Sequence, residues 1–222
     1  MAQSQGQGRR SLRQIGRGFI ILADLILYMD PGTSSMAAHI ALVECGARHE
    51  LRRISLLNEE HRSPEFLSVN PEGKVPTLLI DGRRLTEVAA ILFYLARRHP
   101  EAGLLPIDDL EAQAQAVSWM SFIASTMHPA MAAARRGAQE LEHAIHVFGD
   151  ADKRLGASEW ALPSGYSVAD IHLFRLVWRF TRRFTLAEGT FTNLEGHHQR
   201  VMARPAVRKT LEIEAALGFQ LR

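Results

Sequence analysis

A chain of 222 residues, 46% apolar and 23% charged, has the composition of a globular protein that can bury a full core, and its length suits one large domain or two ordinary ones. The pI of 9.0 invites a nucleic-acid or anionic-membrane partner, but the excess is local: Arg9, Arg10, Arg13 and Arg17 precede the first acid, Asp24, and without those four charges the formal net charge goes from +2 to −2. The apolar run 19–28 is interrupted by Asp24, falls short of the ~20 residues of a membrane span and has no small-residue cleavage site behind it, and the single Cys45 allows no internal disulfide, so a cytoplasmic protein with neither nucleic-acid nor membrane partner is expected.

Residues 1–23 read as a disordered leader and are set aside from the fold. Residues 25–29 form an apolar strand that Pro31 and Gly32 break. Thr33, Ser34 and Ser35 are helix-capping residue types, and Met36, Ile40 and Val43 behind them mark a helical face that ends at Gly46. A second strand over 51–56 completes a strand–helix–strand unit, and 57–69 is a polar connection. Asn70, Pro71 and Gly73 then lead to Lys74, Val75 and Pro76, after which 77–80 read as a buried strand. Asp81-Gly82 is the composition of a two-residue hairpin loop, whose central residues sit at positive φ. From Val88 the period changes to helical, with Val88, Ile91, Leu92 and Leu95 on one face. Thr86 is placed to cap this helix, Glu87 falls in its first turn, and Arg97 and Arg98 end it before Pro100, an arrangement that suits the helix dipole.

Residues 100–108, with Pro100, Gly103 and Pro106, read as a linker, and strand signals disappear beyond it. A long helix is expected from Asp108 or Asp109 to about Arg136, with Val117, Met120, Phe122, Ala124 and Met127 facing inward and a kink at Pro129. A second runs over 138–154. Ser167 and Asp170 form a capping box with Tyr166 as its staple, and further helices are expected over 194–203 and 205–217. The i, i+3 pair His143 and His146 and the adjacent His197 and His198 each offer two metal ligands without an acid or thiol to complete a site, so no metal is expected and these faces read as solvated.

Three ordered blocks, PGTSS at 31–35, the Val75-Pro76 to Ala90-Ile91 run, and the capping box, resemble the glutathione S-transferase family, most closely its bacterial beta class. The resemblance implies an α/β thioredoxin-like domain over 24–99, a linker over 100–108, and an all-α domain over 109–222. It implies a cis Val75–Pro76 bond, with the Val75 backbone paired to the cysteinyl part of glutathione. Glu87 would meet the ligand's α-ammonium group, the helix amides at Val88 its γ-glutamyl carboxylate, and Ser34, Ser35, Leu56, Lys74 and His128 would complete the glutathione-binding set.

The implied reaction is a detoxifying conjugation in which the thiolate of glutathione, the co-substrate, adds to a small hydrophobic electrophile. A free thiol with pKa ~8.5 is mostly protonated at neutral pH, so the site must stabilise the anion. A hydroxyl donated by Ser34 is worth about 1.5–3 kcal/mol and a helix N-terminus about 0.3–1. Thr33 or Ser35 could take that role instead. Beta-class relatives usually carry Cys where Ser34 stands, Lys where Pro129 stands and Gly where Val88 stands. The change to Ser34 argues against thiol transfer through a protein sulfur. His128 would serve as proton acceptor or hydrogen-bond donor near the ligand thiol. A homodimer is implied. Glutathione-dependent disulfide or peroxide reduction, and non-catalytic binding by a transferase fold, stand as alternatives.

Overall fold

The computed structural model describes residues 12–15, 18–21 and 25–219. Within the leader, β1 (Leu12–Ile15) pairs antiparallel with β2 (Gly18–Ile21), Leu12 opposite Ile21, and the rest of 1–23 lies outside the described residues. A separate four-stranded sheet has the order β4 (His49–Arg53), β3 (Leu25–Met29), β5 (Thr77–Ile80), β6 (Arg83–Thr86). β3 and β4 run parallel, Leu25 opposite His49, while β3–β5 and β5–β6 are antiparallel. Asp81 and Gly82 take the positive φ that the two-residue loop demands. This is the expected thioredoxin-like sheet, followed by a mostly helical region.

Helix α1 (Ser35–Glu44) is buried on every side from Ser35 to Leu42 rather than along one stripe. The reason is its position: it packs on β3, on α3 (Val88–Arg98), and on two helices of the second half, α7 (Val168–Arg183) and α9 (Pro205–Ala216). A helix enclosed by four elements has no polar face to give to water. In the connection read as merely polar, Ser63 caps a short helix α2 (Pro64–Val69), its Oγ accepting from the Phe66 N–H at 3.2 Å with Pro64 in the first turn. Buried Phe66 packs its ring on Tyr28.

The long helix of the second half is divided. α4 (Leu110–Phe122) passes into a π-helical turn, Ile123–Met127, and then α5 (His128–Ala133). The break falls just before Pro129, which cannot donate to the preceding turn. Inward positions are Ala116, Trp119, Met120, Ile123 and Met127, while of the others expected inside Val117 is 45% exposed, Ala124 is exposed and Phe122 is half-buried. The buried set follows the i, i+3, i+4, i+7 spacing, and Val117 lies off that stripe. α6 (Ala138–Leu155) and α8 (Thr192–Met202) pack together, and α7 packs on α4 and α8. α7 carries the centre of this core, with Val168 through Trp178 all buried.

The capping box forms at the start of α7: the Ser167 N–H donates to Asp170 Oδ2 at 2.8 Å. Asp170 also accepts from the Ala161 N–H at 2.7 Å, and His197 Nε2 lies 2.9 Å from its Oδ1. His197 is therefore a fully buried structural partner, not a solvated face. Tyr166 packs edge-on against Trp160 with the Arg204 guanidinium over its ring.

Candidate active site

The strand β3 delivers the chain to Asp30, Pro31 and Gly32, and this short loop turns at once into α1. Its geometry is fixed from both sides. The Glu214 carboxylate of α9, 1% exposed, accepts from the Gly32 N–H at 2.6 Å and pairs with His39 Nδ1 at 2.9 Å. Arg175 of α7 donates from Nε to the Thr33 carbonyl at 2.8 Å. Gly32 sits at φ +70°, and a Cβ there would stand 1.8 Å from the Phe219 ring. Glycine is thus required twice, for the backbone and for the ring above it.

Ser34 ends this loop as the N-cap position of α1, yet its hydroxyl does not cap the helix. It donates to the Val75 carbonyl at 3.2 Å. Ser35 is fully buried, its Oγ donating to the Asp30 carbonyl at 3.0 Å and lying 2.7 Å from Thr33 Oγ1. Those bonds hold both hydroxyls inside the loop, so the expectation of a ligand contact from the Ser35 side chain is corrected: it shapes the loop beneath Ser34.

The Val75–Pro76 bond is cis, as the resemblance implies. Buried Asn70 donates from Nδ2 to the Lys74 carbonyl at 3.0 Å and to Thr77 Oγ1, and the Thr77 hydroxyl donates to the same carbonyl at 2.9 Å. The Val75 N–H donates to no group among the described residues and stands at the cavity wall. An extended ligand can take it as the edge of a strand.

Glu87 differs from expectation in a telling way. Thr86 is the last residue of β6, paired with Thr77, and Glu87 itself is the N-cap of α3 at φ 66°, ψ 124°, without a side-chain cap hydrogen bond. A non-glycine residue in that region carries strain of roughly 1–3 kcal/mol. The turn points an exposed carboxylate at the cavity beside the unpaired first amides of α3.

These pieces face one cavity of about 520 Å³. Of the residues singled out in the sequence, Ser34, Leu56, Lys74, Val75, Pro76, Glu87, Val88 and His128 line it, while Ser35 and Thr33, the alternative hydroxyls, do not. His128 enters from the second half, where its N–H donates to the Ile123 carbonyl and closes the π-turn. That widened turn sets the face of the helix on which His128 emerges. Desolvation by the cleft wall, and then the Arg175 guanidinium, hold its pKa below the ordinary histidine range.

Lining residues that escaped the sequence reading include His61, Arg62 and Glu72 on the sheet side and, on α7, His172 and Arg175. Both α7 residues are buried, 6% and 5% exposed. A signal was present: two basic residues three apart in a run otherwise apolar from Ile171 to Trp178, directly behind the capping box. Burial first, then Arg175 and His128, lower the His172 pKa to about 3. Burial first, and then Arg179, lower that of Arg175 to about 9, with Glu214 opposing. Cys45 is remote from this chemistry: it is buried at the end of α1, and burial with the Glu101 and Glu44 charges pushes its thiol up to about 12. Among the described residues no group of three His, Cys, Asp or Glu side chains is placed to hold a metal ion, and His146 instead lies 3.6 Å from Asp150.

Residues 23–97 match the family model for the glutathione S-transferase N-terminal domain. The chain is 30% identical over 199 residues to glutathione S-transferase GstA of Escherichia coli O157:H7, spanning 85% of this chain and 98% of that one. It belongs to the glutathione S-transferase family. Among solved structures of this family, a bacterial beta-class glutathione S-transferase of Sphingomonas chungbukensis is 34% identical with a TM-score of 0.76, covering 85% of this chain and 98% of that one. A sphingomonad glutathione S-transferase complexed with glutathione is 31% identical with a TM-score of 0.77, covering 86% and 98%. Other relatives carry the names maleylacetoacetate isomerase and disulfide-bond oxidoreductase, so membership of the glutathione S-transferase family does not by itself fix the reaction. No helix among the described residues is long and apolar enough to cross a membrane.

Proposed function

We propose that this protein is a glutathione transferase, joining the thiolate of glutathione to a small electrophile seated against α5 and α7. The observation that carries the reading is the convergence on one cavity of an unpaired backbone edge at Val75, a carboxylate at Glu87 and a hydroxyl at Ser34. In this reading the cysteinyl backbone pairs with Val75, and the α-ammonium group meets Glu87. The γ-glutamyl carboxylate takes the first amides of α3, where the helix dipole favours an anion. Val88 contributes its backbone, and Leu56 and Lys74 flank the remainder. When the cysteinyl N–H takes the Val75 carbonyl, the Ser34 hydroxyl is released to turn its proton toward the sulfur. A charge-assisted bond of about 1.5–3 kcal/mol then lowers the thiol pKa by about one to two units.

Neutral His128 can accept the thiol proton or donate to the sulfur. No protein thiol reaches the cleft, because Cys45 is buried elsewhere, so disulfide reduction here would have to run through the sulfur of glutathione itself. The working form we infer is a cytoplasmic homodimer, as in the family generally.

The test combines calorimetric glutathione binding, the pH dependence of ultraviolet thiolate absorbance, and parallel conjugation and disulfide-reduction assays on wild type and Ser34→Ala. Expected are binding by both proteins, a wild-type thiolate pKa below the free value of about 8.5, and a rise of about one unit or more in the variant. Absence of glutathione binding would remove the enzymatic reading. An unchanged thiolate pKa in Ser34→Ala would remove that residue from the mechanism. Disulfide reduction without conjugation would replace the assigned reaction.

A further inference from the structure

The two walls of the cleft differ in charge. On the sheet side the lining residues include both signs, Glu72 and Glu87 with Arg62 and Lys74. On the helical side the charged or titratable lining residues are His128, His172 and Arg175, with no acid among them.

Arg175 is the unusual member. It is 5% exposed, and its one hydrogen bond is from Nε to the neutral Thr33 carbonyl, which leaves the terminal amino groups of its guanidinium without a partner among the described residues. Among the described residues no carboxylate lies within ion-pair distance of it. The nearest acid acting on it is Glu214, whose two oxygens are already taken by the Gly32 N–H and His39. One turn earlier on the same helix His172 lines the same wall with Nδ1 buried and unpartnered. A buried cation without an anion is unfavourable, and a guanidinium fork matches a carboxylate in geometry as well as charge.

Resting on the glutathione reading above, we propose that Arg175 and His172 form a seat for a carboxylate of the second substrate, so that the electrophile this cleft selects is an organic anion. The charges of glutathione can be met without that seat. Its γ-glutamyl end faces Glu87 and the α3 amides, and its glycyl carboxylate has the exposed Lys74 and Arg62 on the sheet side. Arg175 instead lies on the helical wall of the cleft, tied through Nε to the carbonyl of Thr33, the neighbour of Ser34. A bound carboxylate there would raise the pKa values of all three basic groups, which burial first, then Arg175 for the two histidines and Arg179 for Arg175 itself, hold below their ordinary range.

The test uses a matched pair, 4-chloro-3-nitrobenzoate and its methyl ester. In each reaction the glutathione thiolate forms a C–S bond to the chlorinated ring carbon. The C–Cl bond breaks with its electron pair, chloride leaves, and the thiol proton has passed to solvent. With rates normalised to the uncatalysed reactions, wild type is expected to favour the acid by about tenfold or more in kcat/KM. Arg175→Gln and His172→Gln are expected to lose most of that preference, chiefly through KM for the benzoate, and His172→Gln, which removes no bond to the Thr33–Ser34 loop, is expected to keep the glutathione Kd within about twofold of wild type.

A measurement on wild type alone keeps the question open to refutation if a variant fails to fold. The unreactive 3-nitrobenzoate is expected to bind at least about tenfold tighter than methyl 3-nitrobenzoate, with and without S-methylglutathione present. Equal binding of acid and ester overturns the seat. So does a large loss of glutathione affinity in Arg175→Gln together with no acid preference in wild type, since Arg175 would then serve glutathione's own carboxylate. If glutathione fails to bind at all, the transferase reading falls, while the acid-against-ester comparison on the protein alone still decides the seat.

Discussion

Glu87 shows how one residue can serve a site against the interest of the fold. Its backbone occupies φ 66°, ψ 124°, a region that costs a side-chain-bearing residue roughly 1–3 kcal/mol, and its carboxylate makes no capping bond that would offset the strain. The conformation is explained by where it sends the carboxylate, into the cavity beside the α3 amides. Two variants separate these effects. Glu87→Gly is expected to raise stability by about 1 kcal/mol while weakening glutathione binding, because glycine adopts positive φ without a Cβ penalty. Glu87→Gln keeps the strain and removes the charge, so stability should stay near wild type while the glutathione Kd rises about 10- to 100-fold, the equivalent of about 1.5–3 kcal/mol. Denaturant midpoints and calorimetry read the two quantities independently. A Gly variant no more stable than wild type would show that the turn is not strained.

At the scale of the element, α7 is the member on which both core and cleft depend. Its capping box is more than a local cap: Asp170 gathers Ser167, the Ala161 N–H and His197, all in a buried setting. Two turns' worth of helix follow before His172 and Arg175 have faced the cavity, so the phase of the helix start sets their direction. Replacing Asp170 by Ala leaves several buried donors unpaired, and a loss of about 3 kcal/mol or more is expected in denaturant unfolding, with Asp170→Asn falling between variant and wild type. A cost within about 0.5 kcal/mol would reduce the box to an ordinary surface cap. The π-turn of Ile123–Met127 has the parallel task for His128. Both devices aim a basic side chain at the cleft by fixing how a helix begins or is broken.

Across the whole molecule, sheet and helices are joined through the loop that carries Ser34 to the cleft. Glu214 holds Gly32 and His39, Arg175 holds Thr33, and Arg204 of the helical region makes a two-point ion pair with Glu44 at 2.6 and 3.0 Å. His172 lies in this junction as a neutral base. Its folded pKa, about 3, is below the unfolded value of about 6.5. The unfolded chain therefore takes up a proton that the folded protein refuses, so this contribution to stability is intact above pH 6.5 and is lost as the pH falls toward 3. The slope is about 1.4 kcal/mol per pH unit within that window, or about 2 kcal/mol between roughly pH 8 and pH 5. His128 and His198, shifted in the same direction, add to it in sign. Unfolding midpoints measured across that range should fall with acid in wild type and fall less steeply in His172→Gln. Parallel curves would mean that His172 is protonated in the folded state.

The sequence by itself determined the sheet half and the edge that lines the cleft, because those features are written in neighbouring residues. Asp81-Gly82 dictates its turn, Pro76 and Glu87 stand in a short ordered run, and Ser167 and Asp170 form their box across three positions. Each depends on local φ/ψ preferences and nearby hydrogen bonds. What only the tertiary structure decided depends on distant partners. Thr33 and Arg175 are 142 residues apart, and Gly32 and Glu214 are 182 apart. No local period could show that α1 is enclosed on every side, or that Ser35 spends its hydroxyl within the loop. Nor could it show that His172 and Arg175, in the apolar stretch 171–178 of α7, line the cleft. Burial and charge at a site are sums over everything packed around it, and for the helical wall those neighbours come from both halves of the chain.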